Sequence, residues 1–153
     1  MSPEGDAYDV STDPTRIDRA LVHRFLSEES AWARGVPREV SNRAIDNSLC
    51  FGLYRGGEQV GFARVITDRA TFAYVDDVFV VGPHRGKGLA SRLVGAILSH
   101  PELRGVKSWW LLTGSGAARS LFERAGFRTP ERERLERWMT LPGGGRGFYL
   151  RRD

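Results

Sequence analysis

Residues 78–91 read Val78-Phe79-Val80-Val81-Gly82-Pro83-His84-Arg85-Gly86-Lys87-Gly88-Leu89-Ala90-Ser91, and they form the most informative segment of the sequence. Its apolar first part predicts a strand, which leads through a glycine-rich turn directly into an amphipathic helix. The first N–H groups of a helix lack partners inside the helix, the helix dipole adds about half a positive charge, and glycines allow close approach of a ligand. The stretch therefore predicts a cradle for a phosphate-bearing ligand. An ordinary strand-to-helix turn with a solvated basic face is the alternative.

The glycine spacing argues against two common nucleotide-binding loops. A Walker A loop has four residues between its first glycine and the Gly-Lys pair, whereas Gly82 and Gly86-Lys87 enclose three. The dinucleotide fingerprint needs a third small residue, a requirement that Ser91 meets poorly. It also needs an acidic residue about 20 positions further on, at the end of a strand, which this chain lacks. The phosphate ligand is therefore of another kind.

Length and composition indicate one globular domain. With 153 residues the chain is long enough for one sizeable core, so we expect residues 1–153 to form a single domain. Hydrophobic residues make up 41% and charged residues 27% of the chain, which excludes the disordered and fibrous classes. The sequence shows neither a signal-peptide pattern nor an apolar run of about 18 residues, so we expect a cytoplasmic protein with no membrane partner.

The net charge indicates which partners the protein attracts, and the cysteine content indicates whether it forms disulfides. A formal net charge of +4 attracts phosphate-bearing partners in general, so a basic nucleic-acid-binding domain is one hypothesis. Only the charge and the arginine content support it, and we expect no nucleic-acid partner. Cys50 is the single cysteine and lies in an apolar run, which predicts a small buried residue rather than a disulfide.

Hydrophobic periodicity predicts an α+β domain, in the mixed α/β sense. Two helices come first, one with an apolar stripe from Ile17 to Leu26 and one that begins at Pro37. The full predicted order is ααβββαβα with one or two trailing strands, and it contains one parallel strand–helix–strand unit. The later segments are strands at Leu49–Tyr54, Gln59–Thr67, Thr71–Val81 and Trp109–Leu112, helices at Leu89–Ile97 and Gly116–Ala125, and a final strand or hairpin over Arg137–Leu150.

Two motifs resemble those of a known superfamily. Arg85-x-x-Gly88-x-Ala90 is similar to the Gln/Arg-x-x-Gly-x-Gly/Ala signature of the GNAT superfamily of acetyl-CoA-dependent N-acetyltransferases. Ala118-x-x-Leu121-Phe122-x-x-x-Gly126-Phe127 is similar to that superfamily's second motif, Ala-x-x-Leu-Tyr-x-x-x-Gly-Phe. The resemblance covers about Leu49 to Phe127. It implies a GNAT-like central mixed, mostly antiparallel sheet of six to seven strands flanked by about four helices.

The resemblance also implies acetyl-CoA as the cosubstrate, without a metal. Backbone amides of the glycine-rich loop would bind its pyrophosphate, and main-chain groups of Val78 and Val80 would pair with the pantetheine amides like an added strand. Ser115 stands where the family often has an asparagine near the cofactor. The residues predicted to bind the cofactor are Val78, Phe79, Val80, Arg85, Gly86, Lys87, Gly88, Leu89, Ala90, Ser91, Ser115 and Phe122.

Attack of an amine on a thioester needs a proton acceptor and a fixed donor for the oxyanion. Strand alternation places Asp76 on the face of Val78 and Val80 and Asp77 on the other face, so at most one of the two carboxylates points at the reacting centre. We predict Asp77 as the catalytic residue. The competing interpretation is that both aspartates only cap or form salt bridges near a strand bulge.

The remaining acid–base candidates are less sharply placed. Phe122 stands where the family usually has a tyrosine that protonates the departing thiolate, and phenylalanine has no proton to donate. A thiol with a pKa of about 8.5 departs as thiolate without strong acid help, so this departure predicts slower turnover rather than none. Tyr74 is a second predicted catalytic residue, as an alternative acid. His23 and His84 are alternative candidates for the base. The position of His23 on a helix and of His84 in a turn favours structural roles for both.

The residues predicted to contact the acceptor substrate lie in the connector between the first two helices. Trp32 and Arg34 are predicted to flank an amine or bind its carboxylate, while structural packing of Trp32 is the alternative. The sequence thus predicts acetyl transfer from acetyl-CoA to a primary amine of a small molecule or peptide. A non-catalytic acyl-CoA-binding or sensing module with the same fold is the competing hypothesis, and exposed apolar strands are compatible with a homodimer.

Overall fold

One sheet carries the fold within residues 7–114, 116–141 and 148–151, which are the residues that this computed structural model describes. Its five strands there are β1 (Tyr8–Ser11), β2 (Leu49–Arg55), β3 (Glu58–Thr67), β4 (Phe72–Val80) and β5 (Ser108–Trp110). The five α-helices of the same residues are α1 (Arg19–Arg24), α2 (Arg38–Asp46), α3 (Leu89–Leu98), α4 (Gly116–Arg124) and α5 (Arg132–Leu135). A wider helical turn over Phe25–Glu29 continues α1.

The strands follow one another across the sheet in chain order. Strands β1 to β4 pair antiparallel, and β5 pairs parallel with β4. Parallel neighbours need a crossover, and α3 lies in the segment that connects β4 to β5. The mixed, mostly antiparallel sheet and the strand–helix–strand unit are therefore confirmed.

The predicted number of strands, six to seven, was wrong. The described chain has five strands, and no strand forms over the described part of Arg137–Leu150. Met139 and Leu141 have the spacing of one strand face, but both are exposed, so this face packs against nothing. The sequence also missed β1, which is four residues long, and α5, so five helices replace the expected four.

Two apolar clusters cover the two faces of the sheet, because successive side chains of a strand point to opposite faces. The α3 cluster packs β-strand residues against α3 and α4, and the α1–α2 cluster packs others against the first two helices. In the α1–α2 cluster the rings of Phe25 and Phe79 stack with centroids 3.9 Å apart. Cys50 is buried in the same cluster, as predicted, and burial raises the pKa of its thiol to about 11. Across the described ranges, no helix is both long enough and apolar enough to traverse a bilayer.

Candidate active site

An extra residue in β4 produces a β-bulge at the centre of the site. Phe62 pairs with Phe79 and Arg64 pairs with Asp76, so three steps along β4 match two steps along β3. At the bulge Asp77 adopts a left-handed backbone with a φ of 53°, which is uncommon for a residue other than glycine. The extra residue reverses the side-chain alternation of β4 beyond it.

Both carboxylates consequently lie on the α1–α2 side of the sheet. Val75 before the bulge and Val80 after it both pack in the α3 cluster, although an unbroken strand would place them on opposite faces. Asp76 and Asp77 both line one cavity on the other side. The expectation that strand alternation places the two carboxylates on opposite faces was wrong, as was the placement of Asp76 with Val78 and Val80, because the bulge breaks the period of two.

Arg64 holds the two carboxylates together. Its Nε donates to Asp77 Oδ2 at 2.9 Å and its Nη2 to Asp76 Oδ2 at 3.0 Å, while Nη1 donates to Ser48 Oγ at 3.2 Å. Trp32 Nε1 donates to the second oxygen of Asp77, Oδ1, at 2.8 Å. One guanidinium and two carboxylates leave this cluster with a formal charge of −1 when both acids are ionised.

The two carboxylates differ in solvent access. The side chain of Asp76 is 32% exposed and that of Asp77 is 7% exposed. Burial raises the pKa of Asp76 to about 6 and the charge of Asp77 acts in the same direction, whereas Arg64 lowers it. Asp76 is therefore the member of the pair that reaches solvent, and burial raises its pKa.

A cavity of about 150 Å³ lies against the carboxylate pair, and we call it the acid cavity. Trp32 lines it, while Arg34 is exposed and does not line it. Of the two residues predicted to bind substrate, the fold brings only Trp32 to the carboxylates. The acid cavity is lined by Val22, Leu26, Trp32, Ala33, Val36, Val40, Ser41, Ala44, Ile45, Phe62, Arg64, Asp76, Asp77 and Tyr149.

A second cavity, of about 120 Å³, lies where β4 leads into α3, and we call it the loop cavity. Gly86 and Gly88 have φ values of 79° and 74°, and a Cβ at either position would meet no atom within 4 Å. The first intrahelical bond described there runs from Arg92 N–H to the Gly88 carbonyl. The loop cavity is lined by Val80, His84, Arg85, Gly86, Gly88, Leu89, Ala90 and Ser91, seven of which were predicted to bind the cofactor.

Two side-chain contacts fix the loop against the sheet. Arg85 Nε donates to the carbonyl of Val80 at 2.9 Å, and His84 Nδ1 lies 2.8 Å from the Tyr8 hydroxyl. His84 is thus anchored to β1 rather than freely solvated. The other rival base, His23, has its Nε2 2.9 Å from the Val36 carbonyl, which is a structural contact.

The edge of β4 opens toward its carboxyl end. Pairing with β5 stops at Tyr74 and Trp110, so the rest of β4 has no strand on that side among the described residues. Val81 N–H donates to the Val60 carbonyl of β3 at 2.9 Å. Main-chain N–H and C=O groups of successive strand residues point in opposite directions. Since the Val81 N–H points toward β3, the main-chain groups of Val80 and Val78 point toward the open side.

Several predicted residues among those that the structure describes line neither cavity, including Tyr74, Phe122 and Lys87. Tyr74 is half-buried, and burial raises the pKa of its hydroxyl. Phe122 packs in the α3 cluster, in a T-shaped contact with Phe127 at 5.9 Å. Ser115 lies outside the described residues, and Lys87 does not line the loop cavity.

Comparison with models of protein families identifies the family of this chain. A model of the Acetyltransferase (GNAT) family matches residues 18–127. The chain belongs to this family. The matched region of this GNAT domain contains the carboxylate pair, the connector with Trp32 and the whole loop cavity, so the resemblance first carried by the two motifs is confirmed. Membership supports acyl transfer as the general activity.

Three relatives illustrate the GNAT assignment. A crystal structure from Xanthomonas campestris pv. campestris, described as a putative acetyltransferase belonging to the GNAT family, is 44% identical, with a TM-score of 0.81 over 89% of this chain and 94% of that chain. A Gibberella zeae protein named as a putative acetyltransferase is 34% identical over 122 residues, 65% of this chain and 69% of the relative. A structure described as a predicted acetyltransferase with acetyl-CoA, from Clostridium acetobutylicum, shares the fold at 15% identity, with a TM-score of 0.63 over 88% of this chain and 94% of that chain.

Proposed function

We propose that this GNAT domain transfers an acetyl group from acetyl-CoA to a primary amine of a small molecule or peptide, by direct attack of the amine on the thioester. One observation carries the proposal: β4 has the carboxylate pair at its bulge, the loop cavity at its carboxyl end and an open main-chain edge between them. A ligand laid along this strand would contact all three features.

The loop cavity suits the diphosphate of coenzyme A. The left-handed backbone at Gly86 and Gly88 turns the loop, and the space beside each glycine would be filled by a Cβ. The amides that precede the first turn of α3 attract anions, and the helix dipole adds to the attraction. We assign diphosphate binding to the backbone from Arg85 to Ser91, with Arg85 keeping the loop against β4 through its bond to Val80.

The open edge of β4 suits an extended arm with amide groups. Val78 and Val80 would exchange main-chain hydrogen bonds with it, in the manner of an added strand. In this arrangement the Val80 N–H is the donor that would stabilise the oxyanion. A donor fixed in a strand needs little reorganisation when charge develops.

The acceptor amine must lose a proton, since only about one aliphatic amine in a thousand is neutral at pH 7. Solvent exposure favours a division of roles that the sequence did not suggest. Both oxygens of each carboxylate accept hydrogen bonds, those of Asp77 from Trp32 and Arg64 and those of Asp76 from Arg64 and the Asp77 N–H. Asp77 is only 7% exposed and suits a positioning role. Asp76 is more exposed and has a raised pKa, so we assign proton acceptance to Asp76 and keep Tyr74 as the candidate acid.

Thiol release from acetyl-CoA across a panel of primary amines, measured beside calorimetric binding of acetyl-CoA, tests the proposal. We expect saturable binding and turnover with at least one amine. Acetyl-CoA binding without turnover on any acceptor would favour the non-catalytic acyl-CoA-binding module. Absence of acetyl-CoA binding would overturn both functions. Cytoplasmic location, freedom from metals and a homodimer stay predictions of the sequence.

A further inference from the structure

One wall of the acid cavity comes from a helical turn late in the chain. The turn covers Phe148–Arg151, and its residue Tyr149 is half-buried and lines the cavity. The other described residues that line the cavity all lie between Val22 and Asp77, inside the region 18–127 that the GNAT family model matches. Tyr149 is therefore a part of the wall that the matched region does not supply.

A glycine seats this turn on the connector between α1 and α2. Gly35 lies between Ala33 and Val36, which both line the acid cavity. A Cβ on Gly35 would lie 2.5 Å from Leu150 Cδ2 and 3.3 Å from Leu150 Cγ. Leu150 thus occupies the space that a side chain at position 35 would need, and the glycine lets the turn approach the connector closely.

Packing holds the ring of Tyr149 at the cavity. The ring makes a T-shaped contact with that of Phe148, with centroids 5.1 Å apart, and Tyr149 also packs against the α1–α2 cluster. An aromatic ring that is packed in this way keeps its position when a ligand approaches, because close-packed neighbours leave it little room to move. A ligand whose body extends toward the ring would overlap it, and a clash of this kind selects against that ligand.

We propose that Tyr149 is a specificity-determining residue whose ring excludes acceptor amines that are bulky on the side of the Phe148–Arg151 turn, and that Leu150 anchors the turn through its contact with Gly35. The inference rests on the proposed function in taking the acid cavity as the site of the acceptor amine. It goes beyond that function by naming the element that limits the size of the acceptor. The size of the ring carries this effect, and the hydroxyl of Tyr149 has no part in it.

Two amines that differ by one fused ring, benzylamine and 1-naphthylmethylamine, test the size limit. The ratio of their kcat/KM values is measured by thiol release from acetyl-CoA, and the ratio of their affinities by NMR titration without acetyl-CoA. Tyr149→Ala should shift both ratios toward the larger amine at least about tenfold, because the ring that this amine overlaps is gone. Tyr149→Phe keeps the ring and should retain the native ratios. Trp138→Ala removes an aromatic side chain that lines neither cavity and should also retain them.

Gly35→Val tests the anchor. In the native protein, nuclear Overhauser effects should connect the Gly35 Hα protons with the Leu150 methyl groups. The valine side chain takes the place of Leu150, so the turn should leave the connector and both ratios should shift as in Tyr149→Ala. Gly105→Val is the matched control, since both glycines have a φ of 79° but a Cβ on Gly105 would meet no atom within 4 Å. It carries the same backbone strain and should leave both ratios unchanged.

Several outcomes would overturn the inference. They are unchanged ratios in Tyr149→Ala, an equal shift in Tyr149→Phe or in Gly105→Val, absence of the nuclear Overhauser effects in the native protein, and failure of both amines to bind to either the native protein or Tyr149→Ala. The proposed function fails on a different result, the absence of turnover with every amine. In that case the affinity ratios still decide the size limit.

Discussion

Gly88 combines a left-handed backbone with a place on the wall of the loop cavity. The φ of 74° disfavours any residue with a side chain, and the residue borders the space that we assign to the diphosphate. We predict that Gly88→Val weakens acetyl-CoA binding at least about tenfold in calorimetry, because the valine side chain occupies the space of the phosphates.

A matched variant separates crowding from backbone strain. Gly105 has a φ of 79° and equally open surroundings but does not line the loop cavity. Gly105→Val therefore carries the same strain, on the order of 1–2 kcal/mol, and should lower the melting temperature as much as Gly88→Val while leaving acetyl-CoA affinity unchanged. Equal loss of affinity in both variants would mean that strain, not the cradle, explains the effect.

Asp76 should control the pH dependence of the reaction. Its pKa is raised to about 6, and the carboxylate accepts a proton only when ionised, so kcat/KM should rise with pH through about 6. Asp76→Asn should remove this rise, the acidic limb of the pH profile, and lower kcat by about 100-fold, as measured by thiol release over a pH series.

Asp77→Asn is the informative comparison for Asp76. The charge of Asp77 helps to raise the pKa of Asp76, so its removal should shift the limb to lower pH instead of abolishing it. If the limb disappears in Asp77→Asn and persists in Asp76→Asn, the assignment from the sequence was the right one. Both aspartates could be found from the sequence, but the choice between them depends on the left-handed turn of one strand residue, which no local pattern predicts.

Among the elements, the connector between α1 and α2 packs on the sheet through apolar side chains and adds a hydrogen bond from an indole. Trp32 Nε1 donates to Asp77 at 2.8 Å, although the side chain is 47% exposed. Trp32→Phe keeps the ring and removes the bond, so we predict a several-fold higher KM for the amine and an unchanged affinity for acetyl-CoA. Stability should fall by about 1 kcal/mol in chemical denaturation, the usual contribution of one hydrogen bond. A lower kcat at unchanged KM would contradict the positioning role.

The predictability of the elements follows their length and regularity. Strands β2 to β4 and helices α3 and α4 have apolar patterns that extend over seven to ten residues, so the sequence located them to within a residue or two. Strand β1 is four residues long and carries Asp9, so its pattern is too short to recognise. The expected final strand failed because Trp138 packs its ring on Trp110, with centroids 4.3 Å apart, and leaves Met139 exposed. The apolar residues of this segment were therefore not enough to predict that it pairs with another strand.

For the molecule as a whole, the two cavities lie along one strand that both apolar clusters hold in place, so ligand binding should stabilise the entire domain. A ligand that binds only the folded state adds about 2.7 kcal/mol at 100 times its Kd. For a domain of this length that amount corresponds to a rise in Tm of roughly 5–10 °C. We predict this rise with coenzyme A in thermal denaturation, and a smaller one at high salt, because salt screens the contacts between phosphates and the basic loop.

The same measurement on Gly88→Val locates the source of that stabilisation. If the diphosphate is held by the loop cavity, the variant should lose most of the rise in Tm at equal coenzyme A concentration, whereas Gly105→Val should keep it despite a lower starting Tm. A full rise in Gly88→Val would place the ligand elsewhere on the domain. That result would overturn the proposed role of the glycine-rich loop and β4 in acyl transfer, while membership of the GNAT family would stand.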